Sequence, residues 1–352
     1  MAEKLRRVQA AIDNGRPVLD ERVQVGDFLD RWLDTVVKPN RSHGHWRNCE
    51  AAVRLHIKPA LGSIRLSKVT AADVQRLVND ARAKGLADDS VRLIHAALRA
   101  ALGVAKRWGL AHENVASLVE PISVHRDEVE PFSEAELGQL LAVAGQDRLG
   151  AYVKVAVALG LRPGEARALT WADLDLDGEY PSLRVRNAFS RSAGGEKLGP
   201  PKTPRSRRVI ALPRQSVDAL MDHRRRQLKE RIHAGPAWQA GDFVFAQPDG
   251  RPLTESALSR WFAGLSAQAG VTGHRLYDLR HTAATLLLAQ GVHSRYLMEV
   301  LGHSTIRLTM ETYAHVMPAA MRDTANAMDR ALDLVTAATP GAVGSQVGGQ
   351  TA

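Results

Sequence analysis

Hydrophobic residues begin to recur at helical spacing from Val25, and Phe28, Leu29, Trp32, Leu33 and Val36 mark one face of a first helix, since side chains three and four apart share a face. A second helix is predicted over 46–57 and closed by Pro59, because a proline ring costs a helix one hydrogen bond. Thr70 can cap a third, with Val74, Leu77, Val78 and Ala81 turned inward. A fourth spans 90–108, with Val91, Ile94, Leu98, Leu102 and Ala105 inward and Gly109 as its stop signal. Residues 23–112 thus read as an all-helical domain. Ahead of it, 1–22 form a short polar segment whose one helical candidate, 3–12, is broken by Asn14-Gly15.

Residues 113–130 show no sustained period and contain Pro121, so they are expected to link two domains. A new helix opens at Ser133, where Glu136 completes a capping box and Phe132 stands at the position of a hydrophobic staple. Helices are predicted at 151–159 and 163–168. The pattern then alternates: 182–187 and 207–212 read as strands around a Gly/Pro/Ser-rich stretch, 190–204, with a third strand at 243–246. Helices return from Thr254. The last, 318–338, carries the stripe Met321, Ala325, Met328, Leu332, Val335, and the uncharged 339–352 read as a disordered tail. The fold class is mainly α with a small antiparallel β-sheet, the second domain (131–338) being mixed α/β.

Charge adds a partner to this picture. Lys plus Arg number 47 against 38 Asp plus Glu, a net +9 over 352 residues, which favours a polyanion. Cys49 is the single cysteine, so an internal disulfide and a four-cysteine zinc site are excluded. No apolar run approaches the ~18 residues of a membrane span, and no signal-peptide core opens the chain. There is no Gly-rich loop ending in Gly-Lys-Ser/Thr, no second histidine after His112-Glu113, and no Gly-x-Ser-x-Gly elbow. His274, His281, His303 and His315 fall in the last helical region without a close carboxylate pair at ligand spacing.

Two segments carry chemistry. One is Gly160-Leu161-Arg162-Pro163-Gly164-Glu165; the other is Tyr277-Asp278-Leu279-Arg280-His281-Thr282, then Leu301-Gly302-His303, then Thr309-Met310-Glu311-Thr312-Tyr313, with Tyr313 ten positions after His303. In this order they resemble the motifs of the tyrosine recombinase (phage integrase) family. Pro201-Lys202-Thr203-Pro204 matches the family's lysine-bearing hairpin, and 23–112 look like its SAM-like core-binding domain, so the likeness covers about 23–336.

The resemblance implies transesterification at a DNA phosphodiester without a cofactor. Arg162 and Arg280 would grip the non-bridging oxygens, since guanidinium groups stay charged and bind two oxygens at once. Tyr313 would be the nucleophile, leaving a 3′-phosphotyrosine. A free phenolate costs about 4 kcal/mol at neutral pH, a cost that nearby cations lower. Lys202 would protonate the leaving oxygen, His303 would hydrogen-bond a non-bridging oxygen, and Glu165 would buttress the site. The family usually has histidine three residues before the second arginine; here that place holds Tyr277, a poor base at neutral pH. His274, one turn upstream if the helix extends that far, is a substitute.

For the DNA, the candidates are Arg41, His43, Arg47, Lys58, Lys106 and Arg107 in the helical domain and Arg205 and Arg207 beside the hairpin. These serve as phosphate contacts, which position more than they specify. The run His223–Arg231 is either a further contact or a solvated helix face. By the same resemblance the partner is double-stranded DNA with specific core sites, bound by four protomers across two DNA segments. A DNA-bending or directionality factor would be an accessory partner. The location would be cytoplasmic, at the nucleoid. The expected activity is integration and excision of a phage or mobile element. The alternatives are a chromosome-dimer resolvase, a type IB topoisomerase-like enzyme, or a catalytically impaired DNA-binding protein.

Overall fold

The computed structural model describes residues 22–120, 130–201 and 203–302. Expectations for the N-terminal segment, for Lys202, His303, Tyr313 and His315, for the 318–338 helix and for the 339–352 tail lie outside the described residues. Two compact units are present.

The first unit is helical. α1 (Val25–Trp32) continues through a π-helical stretch (Leu33–Val37) into a last turn (Lys38–Asn40), and α2 (His43–Ala52) does the same through Val53–Ile57 and Lys58–Leu61. Each helix widens just before a Lys-Pro pair. The proline ring crowds the carbonyl four residues back and offers it no N–H, and a π turn shifts the bonding register so that the chain can run on. Pro59 therefore does not close α2, contrary to the expectation from sequence. α3 (Ala71–Ala83) starts at the predicted Thr70, whose side chain exchanges hydrogen bonds with Asp73. α4 (Asp88–Arg107) sends Val91, Ile94, Leu98, Leu102 and Ala105 into the core, as its period requires.

Packing persists beyond α4. Ala116 and Val119 are buried, His95 Nε2 donates to the Ala116 carbonyl at 2.8 Å, and Asn114 caps the Arg99 carbonyl at 2.9 Å. The first part of the expected linker thus belongs to the helical core.

The second unit opens with α5 (Glu134–Ala144), capped by the Ser133–Glu136 box. Phe132 does more than staple: its N–H donates to Thr282 Oγ1 (3.0 Å), and its ring stacks on His274 and meets Phe262 edge-on. α6 (Gly150–Leu159) is buried on most of its circumference and runs through the centre of the core. It ends at Gly160, in the left-handed region with φ +58°. α7 (Pro163–Arg167) follows at once.

Strands β1 (Leu174–Asp175), β2 (Ser182–Val185) and β5 (Arg208–Ala211) make an antiparallel sheet in the order β1-β2-β5, with Leu183 opposite Ile210. β3 (Ala188–Ser192) and β4 (Gly195–Gly199) pair as a separate hairpin, which the Gly/Pro/Ser-rich stretch concealed. Then come α8 (Arg214–Ala234), α9 (Glu255–Gln268), α10 (Asp278–Ala289) and α11 (Ser294–Leu301).

The third predicted strand does not join a ladder. Val244, Phe245 and Ala246 are buried, and only isolated bridges touch the segment, from Thr170 and Pro252. Side chains take its carbonyls instead: His223 and Gln227 of α8 bond the Val244 carbonyl, and Arg148 bonds that of Ala246. The run is apolar because it is buried, and full burial alone does not make a strand.

Candidate active site

Three arginines converge on the last turn of α11, where the final carbonyls of a helix lack intrahelical donors and carry partial negative charge. Arg280, in the first turn of α10, sends Nη2 to the Leu301 carbonyl (2.8 Å) and Nη1 to that of Gly160. Arg162, the residue before α7, reaches Gly302 O with Nη2 (3.0 Å) and Leu301 O with Nη1 (3.4 Å). Arg208, opening β5, bonds Val300 O through Nε at 2.6 Å. Sequence-distant residues are thus gathered around the Leu301-Gly302 corner, the two residues ahead of His303.

Two glycines make this convergence possible. Both Gly160 and Gly302 have positive φ, which a side chain would strain. A Cβ on Gly160 would also lie 2.4 Å from Leu301 Cδ2, and one on Gly302 would lie 2.9 Å from Arg208 Nη1.

Glu165 sits beneath the arginines, 2% exposed. Its Oε1 accepts from Arg162 Nη1 (2.8 Å), and its Oε2 accepts from Arg208 Nη2 (2.9 Å) and the Arg162 backbone N–H (3.1 Å). Burial by itself would raise its carboxyl, but Arg208 and then Arg162 hold it below the usual carboxylate range. Arg280 is 1% exposed. Burial, with the charge of Arg162 beside it, lowers Arg280 to about 10, so it remains a cation at neutral pH. Arg162 has 31% of its side chain exposed, against 7% for Arg208. Arg162 is therefore the most exposed of the three guanidinium groups.

Tyr277 immediately precedes α10 and is 41% exposed, its ring 5.3 Å from that of His281. Burial pushes the His281 imidazole below its ordinary value. His274 cannot act as a base one turn upstream, because α10 begins only at Asp278. It lies flat on Phe132 (ring centroids 3.9 Å apart), with Nε2 3.5 Å from Glu136 Oε1. Among the described residues no three His, Cys, Asp or Glu side chains cluster at metal-binding distance.

Beside this corner, Arg167 of α7 is almost fully buried. It forks onto both oxygens of Glu196 on β4, bonds the Leu253 carbonyl, and lies 4.9 Å from the Phe189 ring centroid on β3. One arginine thereby ties β3 and β4 to α7.

Residues 131–319 match the family model described as the phage integrase family, and 24–81 match that of its N-terminal SAM-like domain. The chain belongs to the phage integrase family. Its activity class is that of the tyrosine-type site-specific recombinases. An integrase of Saccharopolyspora erythraea is 27% identical over 90% of this chain and 83% of its own. A XerC-like tyrosine recombinase of Caldanaerobacter subterraneus is 29% identical over 92% and 86%. In fold the chain is similar to the Tn1549 transposon integrase in complex with transposon right end DNA (TM-score 0.72, 23% identity, 88% of this chain and 99% of that one). It is also similar to a lambda integrase tetramer bound to a Holliday junction (TM-score 0.62, 18% identity, 87% and 80%).

The integrase's DNA candidates differ in availability. Arg41, Arg47, Lys106 and Arg107 are exposed in the first unit, as are Arg205 and Arg207 in the second. Lys58 is committed to Asp30 at 2.7 Å, and His43 is half-buried, stacked on Trp46. On α8, His223 and Gln227 face the core while Arg224, Arg225 and Lys229 face solvent, so the basic run is one side of an amphipathic helix. Among the described residues no helix is long and apolar enough to cross a membrane.

Sequence reading named Arg205 and Arg207 but missed Arg208. Strand alternation carries the signal: Ile210 points inward, so Arg208 does too, while Val209 faces out.

Proposed function

We propose that this recombinase cuts and rejoins duplex DNA at the junctions of a mobile element, with Arg162 and Arg280 cradling the scissile phosphate. The observation that carries this reading is the meeting of both arginines on the Leu301 carbonyl, two residues ahead of His303. A pentacoordinate phosphorus concentrates negative charge on its non-bridging oxygens, and preformed cations there stabilise it without reorganising. The Tyr313 oxygen attacks phosphorus as its proton passes to water, the bond to the 5′ oxygen breaks, and Lys202 supplies the proton that leaves with the 5′ hydroxyl. His303 donates to a non-bridging oxygen. One phosphodiester is exchanged for a phosphotyrosine ester of similar energy, so religation needs only another 5′ hydroxyl. Four protomers acting on two DNA segments would exchange strands in turn, as the tetrameric lambda integrase neighbour suggests. A DNA-bending or directionality factor would select the direction.

The test is covalent trapping on DNA from the element's own junctions, comparing wild type with Tyr313→Phe. The expected product is a detergent-resistant, protease-sensitive adduct joined through the 3′ phosphate, formed by wild type alone. Tight, specific binding without any adduct would overturn the assignment.

A further inference from the structure

Resting on that reading, we propose that Arg208 is a positioning residue that neutralises Glu165, leaving the charge of Arg162 free for the phosphate. Among the described residues, three guanidinium groups and one carboxylate meet at this corner. Glu165 gives one oxygen to the Arg162 side chain and the other to Arg208. Glu165 and Arg208, with 2% and 7% of their side chains exposed, are the two most buried partners in this trio, so solvent screens their pairing least. Arg162, the exposed partner, holds only a share of the carboxylate. Without Arg208, the whole of that charge would face Arg162, in the place that a phosphate oxygen must take.

The same guanidinium fixes geometry. Its Nε holds the Val300 carbonyl and its Nη1 the Ser206 carbonyl at 2.9 Å. Ser206 is itself tied to Thr203, backbone N–H to carbonyl at 3.0 Å and hydroxyl to hydroxyl at 2.9 Å. Arg208 thus links the turn that follows Lys202, the acid of α7 and the carbonyl end of α11. The absence of a side chain at Gly302 gives the guanidinium its room.

The experiment measures the single-turnover rate of adduct formation on the trapped junction DNA for wild type, Arg208→Met, Glu165→Gln and the double variant. DNA affinity and melting temperature are followed in parallel. Arg208→Met should slow the adduct on the order of a hundredfold, as small misplacements at a reacting centre do, with affinity nearly unchanged. The double variant should recover most of the loss, to within about tenfold of Glu165→Gln alone, because the carboxylate that harms Arg162 is gone and only the Val300 and Ser206 contacts stay lost. A double variant as slow as Arg208→Met would make Arg208 a structural residue only and overturn the proposal, as would an Arg208→Met enzyme of wild-type rate. If Arg208→Met melts below the assay temperature, Arg208→Lys decides: it keeps the charge opposite Glu165 and should stay within about tenfold of wild type. A hundredfold loss there overturns the proposal. Wild type that forms no adduct overturns the recombinase reading first, before any Arg208 variant is compared.

Discussion

At position 277 an exposed phenol stands where an imidazole is usual, and its protonation state limits what it can do. A neutral tyrosine orients an oxygen through one hydrogen bond but accepts a proton poorly at neutral pH. Tyr277→Phe should therefore slow adduct formation by less than about tenfold, below the ~10²–10⁴ of a lost general base, whereas Tyr313→Phe should abolish it. Equal losses in the two variants would refute this ordering. His223 supports a second prediction. It is buried, its Nε2 donates to the Val244 carbonyl at 2.7 Å and its Nδ1 has no partner. Burial lowers its folded pKa; the Val244 bond and Glu230 oppose this, while Arg148 and Arg226 add to it. A histidine depressed in the folded state contributes stability that is present above its unfolded pKa, about 6.5, and is lost as pH falls toward the folded value. The half-buried His281 is depressed in the same direction. The melting temperature should thus decline from pH 7 to pH 5, and a profile flat across that window would contradict it. At this scale the motifs made Arg162 and Arg280 legible, and the fold brings both to the Leu301 carbonyl. The sequence hid Arg208, because a basic run reads as surface until the pleat of the strand is known.

Among the elements, capping residues were the most legible, since a Ser or Thr three residues ahead of an acid closes a local ring that needs no tertiary partner. Thr70 caps α3 and Ser133 forms its box with Glu136, both as expected, and Asp73 completes a second box at Thr70. Where tertiary context decides, reading failed. Pro59 was absorbed by a π turn, the carbonyls of 244 and 246 took side-chain donors from α8 and Arg148, and β4 exposes almost every residue, so no alternation could announce it. The hairpin is held instead by Arg167. Removing its partner with Glu196→Ala would leave a nearly buried guanidinium with one carbonyl and an aromatic face. Since Glu196 is partly exposed, the expected cost is about 2–3 kcal/mol, below that of breaking a fully buried pair. The measurements are chemical denaturation and protease cleavage within 190–204. Unchanged stability with an intact hairpin would show that the fork contributes little.

For the whole molecule, a net charge of +9 attracts any polyanion, so the useful question is which cations lie against phosphate. Lys and Arg that neutralise a phosphate release a counterion, and each such contact contributes a slope of about −0.9 to log affinity against log salt on duplex DNA. Arg47 is exposed and makes no ion pair among the described residues, whereas Lys58 is held by Asp30. Arg47→Ala should therefore flatten the slope by about one, and equally on junction and unrelated duplexes, since a phosphate contact reads no sequence. Lys58→Ala should shift it less, because the ammonium already neutralises a carboxylate and its removal leaves Asp30 as a repelling charge. The two variants therefore have different signatures: a slope reduced by about one for Arg47, and a smaller reduction for Lys58. Titrations from about 50 to 200 mM salt span enough affinity to separate them. Identical, unaltered slopes for Arg47→Ala would remove α2 from the proposed phosphate contacts and leave the exposed end of α4, at Lys106 and Arg107, as the candidate in that unit.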